Sequence, residues 1–147
     1  MPHSYSQNIV HVIFSTKDRR KLIPKEFQPK LWVYIAGVCK NHEIHVEAIG
    51  GTDDHIHLLI RVPAAMSVAK AILTIKSNSS KWVTEQVRKV EWQEGYAAFS
   101  VSASLLSRVG RYVNMQEARH RRMTFEAEFM SILKRHGVQF DPNFVFG

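Results

Sequence analysis

The sequence predicts an α+β fold, an antiparallel sheet carrying two helices with further helices at the C-terminal end. Three observations predict it. Four short runs rich in Ile, Val, Phe and Ala, over residues 8–16, 43–51, 55–62 and 95–102, read as strands. Longer segments with apolar residues at helical spacing follow the first and third of these runs. A cluster of turn formers, Gly50, Gly51, Thr52, Asp53 and Asp54, joins the second run directly to the third, as an antiparallel hairpin requires.

The first strand is "NIVHVIFST", followed by the basic loop "KDRRK". Pro24 opens a helix over about residues 25–41, where Phe27, Leu31, Ile35 and Val38 share one face. Cys39 falls in that apolar pattern as a small core residue. In "EIHVEAIGG", Ile44, Val46 and Ala48 alternate with His45 and Glu47, which describes a half-buried strand. "HIHLLIRV" is the third strand, and Pro63 ends it. Ser67 is placed to cap a helix bearing Val68, Ile72 and Ile75, with a break near "KSNSS" and a resumption to about Arg88. "GYAAFSVS" is the fourth strand. A third helix is expected from about Ala103 to Arg119, with Leu105, Val109 and Val113 as its apolar stripe, and a fourth from Thr124 to a stop at Gly137.

Strand, helix, strand, strand, helix, strand is the ferredoxin-like, or RRM-like, βαββαβ order, in which the first and third strands are central. The 147 residues suit one domain with a real core. Repeats, low-complexity tracts and linkers are absent, so residues 1–147 read as a single unit. No apolar run approaches the roughly 18 residues of a membrane span. The N-terminus lacks a signal-peptide pattern and the chain has one cysteine, which points to the cytoplasm. Twenty Lys and Arg against 13 Asp and Glu give a net charge of +7, which favours a polyanionic partner such as nucleic acid. The basic residues cluster at Lys17, Arg19, Arg20 and Lys21, at Arg108 and Arg111, and at Arg119, Arg121 and Arg122, the candidate DNA contacts.

The chemistry-bearing stretch is "GGTDDHIHLLI". His55 and His57 are two apart on a strand, so both imidazoles share one face while Ile56, Leu58 and Ile60 share the other. The first two helices are expected to cover the apolar face, leaving the histidines ordered by the sheet yet open to a ligand. Paired imidazoles can hold one divalent cation, though a short H-x-H pattern alone does not assign a site. Tyr112 and Gln116 are spaced i and i+4 on the predicted third helix.

The order of "HVIFSTKDRR", "AIGGTDDHIHLLI", "SNSSKW", "WQEGYAAFSVS" and "YVNMQEARHRRMTFEAEF" resembles the HUH single-tyrosine transposases, the small insertion-sequence transposases and their palindrome-associated relatives. The resemblance implies Tyr112 as nucleophile and His55, His57 and Gln116 as ligands of Mg²⁺ or Mn²⁺. It implies cleavage and rejoining of single-stranded DNA through a 5′-phosphotyrosine link, with recognition of hairpins at element ends. It further implies a strand lying across the open sheet face of a prokaryotic DNA enzyme, and a homodimer in which the tyrosine helix of one subunit completes the site of the other. Where such proteins often carry two adjacent histidines after the tyrosine helix, this chain has Arg119 and His120. The rival readings are a noncatalytic nucleic-acid module stacking bases on Phe14, Tyr96 and Phe99, a metal-dependent hydrolase indifferent to Tyr112, and a domesticated transposase that binds hairpins and cuts little.

Overall fold

The chain was described from a computed structural model, which covers residues 5–120 and 122–141. The β-rich runs form strands β1 (Ile9–Ser15), β2 (His45–Gly51), β3 (His55–Arg61) and β4 (Ala97–Ser100), all antiparallel, in the order β2-β3-β1-β4. Helix α1 (Gln28–Asn41) follows β1, and α2 (Val68–Gln86) follows β3. This is the expected ferredoxin-like arrangement, with β1 and β3 central. Beyond β4 come a single 3₁₀ turn, α3 (Leu106–Asn114), the one-turn α4 (Gln116–Arg119) and α5 (Phe125–Arg135).

Register fixes what each face carries. Ile13 pairs with His57, His11 with Leu59 and Ser15 with His55, so these residues stand on one face. Val10, Val12, Phe14, Ile56, Leu58 and Ile60 stand on the other, against Leu31, Ile35 and Cys39 of α1 and Ala71, Ile72 and Ile75 of α2.

Several local expectations are corrected. Helix α1 begins three residues later than predicted, after a turn at Pro24–Phe27. Helix α2 runs unbroken through "KSNSS", because Ser77, Asn78 and Ser79 return their side-chain donors to the carbonyls of Leu73, Thr74 and Ile75. Ser79 Oγ also accepts from Trp92 Nε1 at 3.0 Å. Ser67 caps this helix as expected, taking the Lys70 backbone N–H. The predicted third helix is interrupted at Met115. There the Gln116 side-chain Nε2 donates to the Tyr112 carbonyl, the acceptor that a continuous helix would give to the Gln116 backbone. Leu105 is exposed rather than part of an apolar stripe.

The histidine face is also not open. Ala48 and Leu59 pack against Val113 of α3, while Ile13, Ala97 and Phe99 pack against Phe125, Phe129, Ile132 and Leu133 of α5. Helix α3 approaches β2 so closely that a Cβ on Gly50 would lie 2.2 Å from the Val113 carbonyl oxygen. The α5 helix starts on Thr124, whose Oγ1 takes the Ala127 N–H, and is followed by Gly137 at φ 68°. Phe14 is fully buried and Phe99 nearly so, which removes them as base-stacking platforms; Tyr96 is exposed.

A candidate metal and tyrosine centre under the C-terminal helices

Both histidines come from the central strand, and both are 0% exposed. The turn before β3 places Asp54 beside the first of them. Thr16 N–H donates to the Asp54 carbonyl, and the N–H groups of Leu22 and Ile23 donate to that of Asp53, so the loop after β1 holds the hairpin turn. Asp54 Oδ1 then meets His55 Nδ1 at 2.8 Å, with Thr52 Oγ1 3.0 Å from the same nitrogen. Burial would raise the Asp54 pKa, but the bond and charge of His55 together with the bond from Thr52 hold the carboxyl below its usual range. The Phe125 ring stacks on His55 with centroids 4.1 Å apart.

The far nitrogens converge. His55 Nε2 is 3.2 Å from Gln116 Oε1 and 3.8 Å from Glu128 Oε1. His57 Nε2 is 3.2 Å from Glu128 Oε1. His120 Nε2 reaches both Gln116 Oε1 and Glu128 Oε1 at 3.1 Å. Tyr112 Oη donates to Glu128 Oε2, so one buried carboxylate joins the tyrosine to the histidines. Arg119 lies over the Tyr112 ring, 4.4 Å from its centroid.

Burial and charge set the protonation of this group. Burial would push Glu128 up, yet the hydrogen bonds from His120 and His57 hold it far below the usual carboxylate range. Burial depresses His57 to about 4, against the opposing pull of Glu128. His11 falls to about 3 through burial and the neighbouring His57. Both are therefore neutral imidazoles near pH 7, the form that ligates metals. His120, although burial lowers it, is raised by its bond to Glu128. Burial and then Glu128 push the Tyr112 phenol above its ordinary value.

The donor set fits a divalent cation. Ligand atoms of His55, His57 and Glu128 all lie within 4.8 Å of one another. Gln116 presents oxygen to the same point, since its nitrogen is committed to the Tyr112 carbonyl. Oxygen ligands about 2.1 Å from Mg²⁺ at right angles sit about 3 Å apart, close to the 3.2 Å spacings of Gln116 and Glu128 from the histidine nitrogens.

The structure thus brings together Tyr112, Gln116, His55 and His57. It separates the basic candidates into two groups. Lys17, Arg19 and Arg20 pair with Glu91, Glu126 and Asp18. Lys21 lines an 840 Å³ cavity of mixed charge that also reaches Asp54 and His120. Arg108, Arg111, Arg119 and Arg122 line a 790 Å³ cavity with Tyr112. Arg121 lies outside the described residues.

Sequence reasoning missed Glu128 and His11, and named His120 without placing it in the site. Glu128 carried a signal: it sits within the α5 stripe of Phe125, Phe129, Ile132 and Leu133, where a buried charge needs partners. His11 stands in "HVIFSTKDRR" on the same strand face as Ile9 and Ile13.

A βαββαβ sheet thus carries a buried histidine pair on a central strand, with a helix-borne tyrosine beside that pair. The chain belongs to the family described as "Transposase IS200 like", which matches residues 4–116 and bears out the resemblance to HUH single-tyrosine transposases. His120 and Glu128 lie beyond the matched residues. The structure is similar to that of a candidate transposase from Deinococcus radiodurans R1, with a TM-score of 0.64 and 16% identity over 77% of this chain and 93% of that one. It is also similar to a REP-associated tyrosine transposase bound to a REP hairpin, with a TM-score of 0.61 and 13% identity over 82% of this chain and 73% of that one. At these identities the likeness is one of fold. No curated protein matches the sequence. Among the described residues, no helix is long and apolar enough to cross a membrane.

Proposed function

We propose that this transposase cleaves and rejoins single-stranded DNA by transesterification on Tyr112. The observation that carries the reading is the convergence of the Tyr112 hydroxyl, His55, His57, Gln116 and Glu128 on one buried point. In this reading His55, His57, Gln116 and Glu128 hold Mg²⁺ or Mn²⁺. When bound, the cation supplies positive charge that polarises the scissile phosphate and offsets the charge of Glu128.

The chain's own groups then have distinct tasks. The Tyr112 oxygen forms a bond to phosphorus as the bond from phosphorus to the 3′ oxygen breaks. Glu128 Oε2, the acceptor of the phenol hydrogen bond, orients the hydroxyl for attack, and the phenol proton ends on the departing 3′ oxygen. The products are a 5′-phosphotyrosine and a free 3′-OH, and attack by a 3′-OH on that link rejoins DNA without water as acceptor. The arginines of the cavity beside Tyr112 draw the strand in, so DNA enters from the tyrosine side rather than across an open sheet. The hairpin carried by the similar REP-associated transposase supports a hairpin substrate. Multiple turnover with water would instead favour the hydrolase.

The decisive measurement is a denaturing gel of the protein with flanking single-stranded hairpins and Mn²⁺. The parent should give a covalent adduct that maps to Tyr112, and Tyr112→Phe should give none while keeping hairpin affinity. An equal yield of cleaved strand from Tyr112→Phe would sink the reading.

We further infer that Tyr112 serves the site of its own chain, since α3 packs on β2 and the Tyr112 hydroxyl meets Glu128, whose other oxygen faces His57. Mixing Tyr112→Phe with His57→Ala should not restore cleavage. Restoration would instead support the sharing between subunits that the family resemblance implied.

A further inference from the structure

His11 is a buried titratable group beside the histidine pair that this mechanism leaves without a task. It belongs to the "HVIFSTKDRR" motif, is 6% exposed, and its Nε2 lies 2.8 Å from His57 Nδ1. A nitrogen pair at that distance needs one donor and one acceptor.

The other side of His57 decides which is which. Its Nε2 is 3.2 Å from Glu128 Oε1, and an ionised carboxylate only accepts. The hydrogen bonds present therefore require hydrogen on His57 Nε2, a bare Nδ1, and His11 Nε2 as donor. Ligation of a cation by His57 Nε2 requires the reverse: hydrogen on His57 Nδ1 and His11 Nε2 as acceptor. His55 differs. Its Nδ1 faces Asp54 Oδ1 at 2.8 Å, so it carries hydrogen there in either case, and its Nε2 faces Gln116 Oε1.

We propose that His11 is a positioning residue that sets the tautomer of His57, donating to it in one arrangement and accepting from it when a divalent cation is held. The proposal rests on the metal reading of the site. Protons balance across the exchange. His57 gives its Nε2 proton to water and takes the Nε2 proton of His11 on Nδ1, while His11 takes a proton from water on its own Nδ1. A carboxylate at position 11 would satisfy only the metal-holding arrangement and would add a buried charge. An imidazole satisfies both and stays neutral. His55, with a fixed partner, is the permanent ligand of the pair, and His57 is the adaptable one.

The test uses the full chain labelled with ¹⁵N-histidine, titrated with Mg²⁺ and read by long-range ¹H–¹⁵N correlation. His57 and His11 should pass together from hydrogen on Nε2 to hydrogen on Nδ1, while His55 keeps hydrogen on Nδ1 throughout. Mn²⁺ affinity, read by electron paramagnetic resonance of the free ion, should fall about 10–100-fold in His11→Phe, the usual cost of losing such a partner. His11→Gln, which can present either an amide oxygen or an N–H, should restore most of it. Mn²⁺ binding by the parent with no tautomer change overturns the proposal and leaves the metal reading standing. So does equal affinity in parent and His11→Phe, or an equal loss in both variants. Failure of the parent to bind Mg²⁺ or Mn²⁺ overturns the metal reading and this proposal with it.

Discussion

The two faces of one sheet are built from alternate residues of the same strands, yet they do different work. Val12, Phe14, Ile56 and Leu58 look toward α1 and α2 and pack in an apolar cluster, so that face is a core whose value is the area it removes from water. His11, His55 and His57 look toward α3 to α5 and are as deeply buried, but every one of them reaches a polar partner. Equal burial does not mean equal purpose. On the first face a side chain contributes by volume; on the second it contributes by the direction in which its lone pairs and protons point.

Substitutions should separate the faces. The largest effect on folding is expected from Leu58→Ala, which empties part of the helix-side core and should cost about 2–5 kcal/mol in chemical denaturation. Mn²⁺ affinity of the folded fraction should stay as in the parent. A drop in that affinity would show that the faces are coupled through the strand.

Next in size, saturating Mn²⁺ should stabilise the parent by about 2.7 kcal/mol at a hundredfold excess over its Kd. A thermal melt with and without the ion reads this directly. His57→Ala should abolish the increment, whereas Leu58→Ala should keep it on a lower baseline. An undiminished increment in His57→Ala would place the ion elsewhere.

The smallest effect compares two helix caps of the same kind. Ser67→Ala and Thr124→Ala should each cost about 1 kcal/mol. Only the second frays the helix that covers the histidines. Hydrogen exchange should therefore quicken in α5 for Thr124→Ala and in the first turn of α2 for Ser67→Ala. Faster exchange in α5 for both would erase the distinction between the faces.

Much of this arrangement was legible in the sequence because it rests on local rules. Period-two alternation put His55 and His57 on one face and Ile56, Leu58 and Ile60 on the other, and the register agrees. The turn formers at Gly50–Asp54 gave the hairpin, and Ser67 and Thr124 marked real helix starts. The break at Met115 was not legible, because it arises when Gln116 turns inward and its side chain, not its backbone, meets the Tyr112 carbonyl. The continuity of α2 was hidden for a related reason: serines read as helix breakers are satisfied by their own helix.

The sequence by itself determined the strand and helix order and that His55 and His57 share a face, since each follows from spacing along the chain, and the order of its motifs carried the resemblance to the family. Only the tertiary structure decided that α5 closes over those histidines, that Glu128 joins them to Tyr112, and that His11 backs His57. Those contacts join residues 16 to 71 positions apart. Periodicity describes which way a side chain points from its own element; what it meets there depends on how distant elements pack, and no local pattern encodes that.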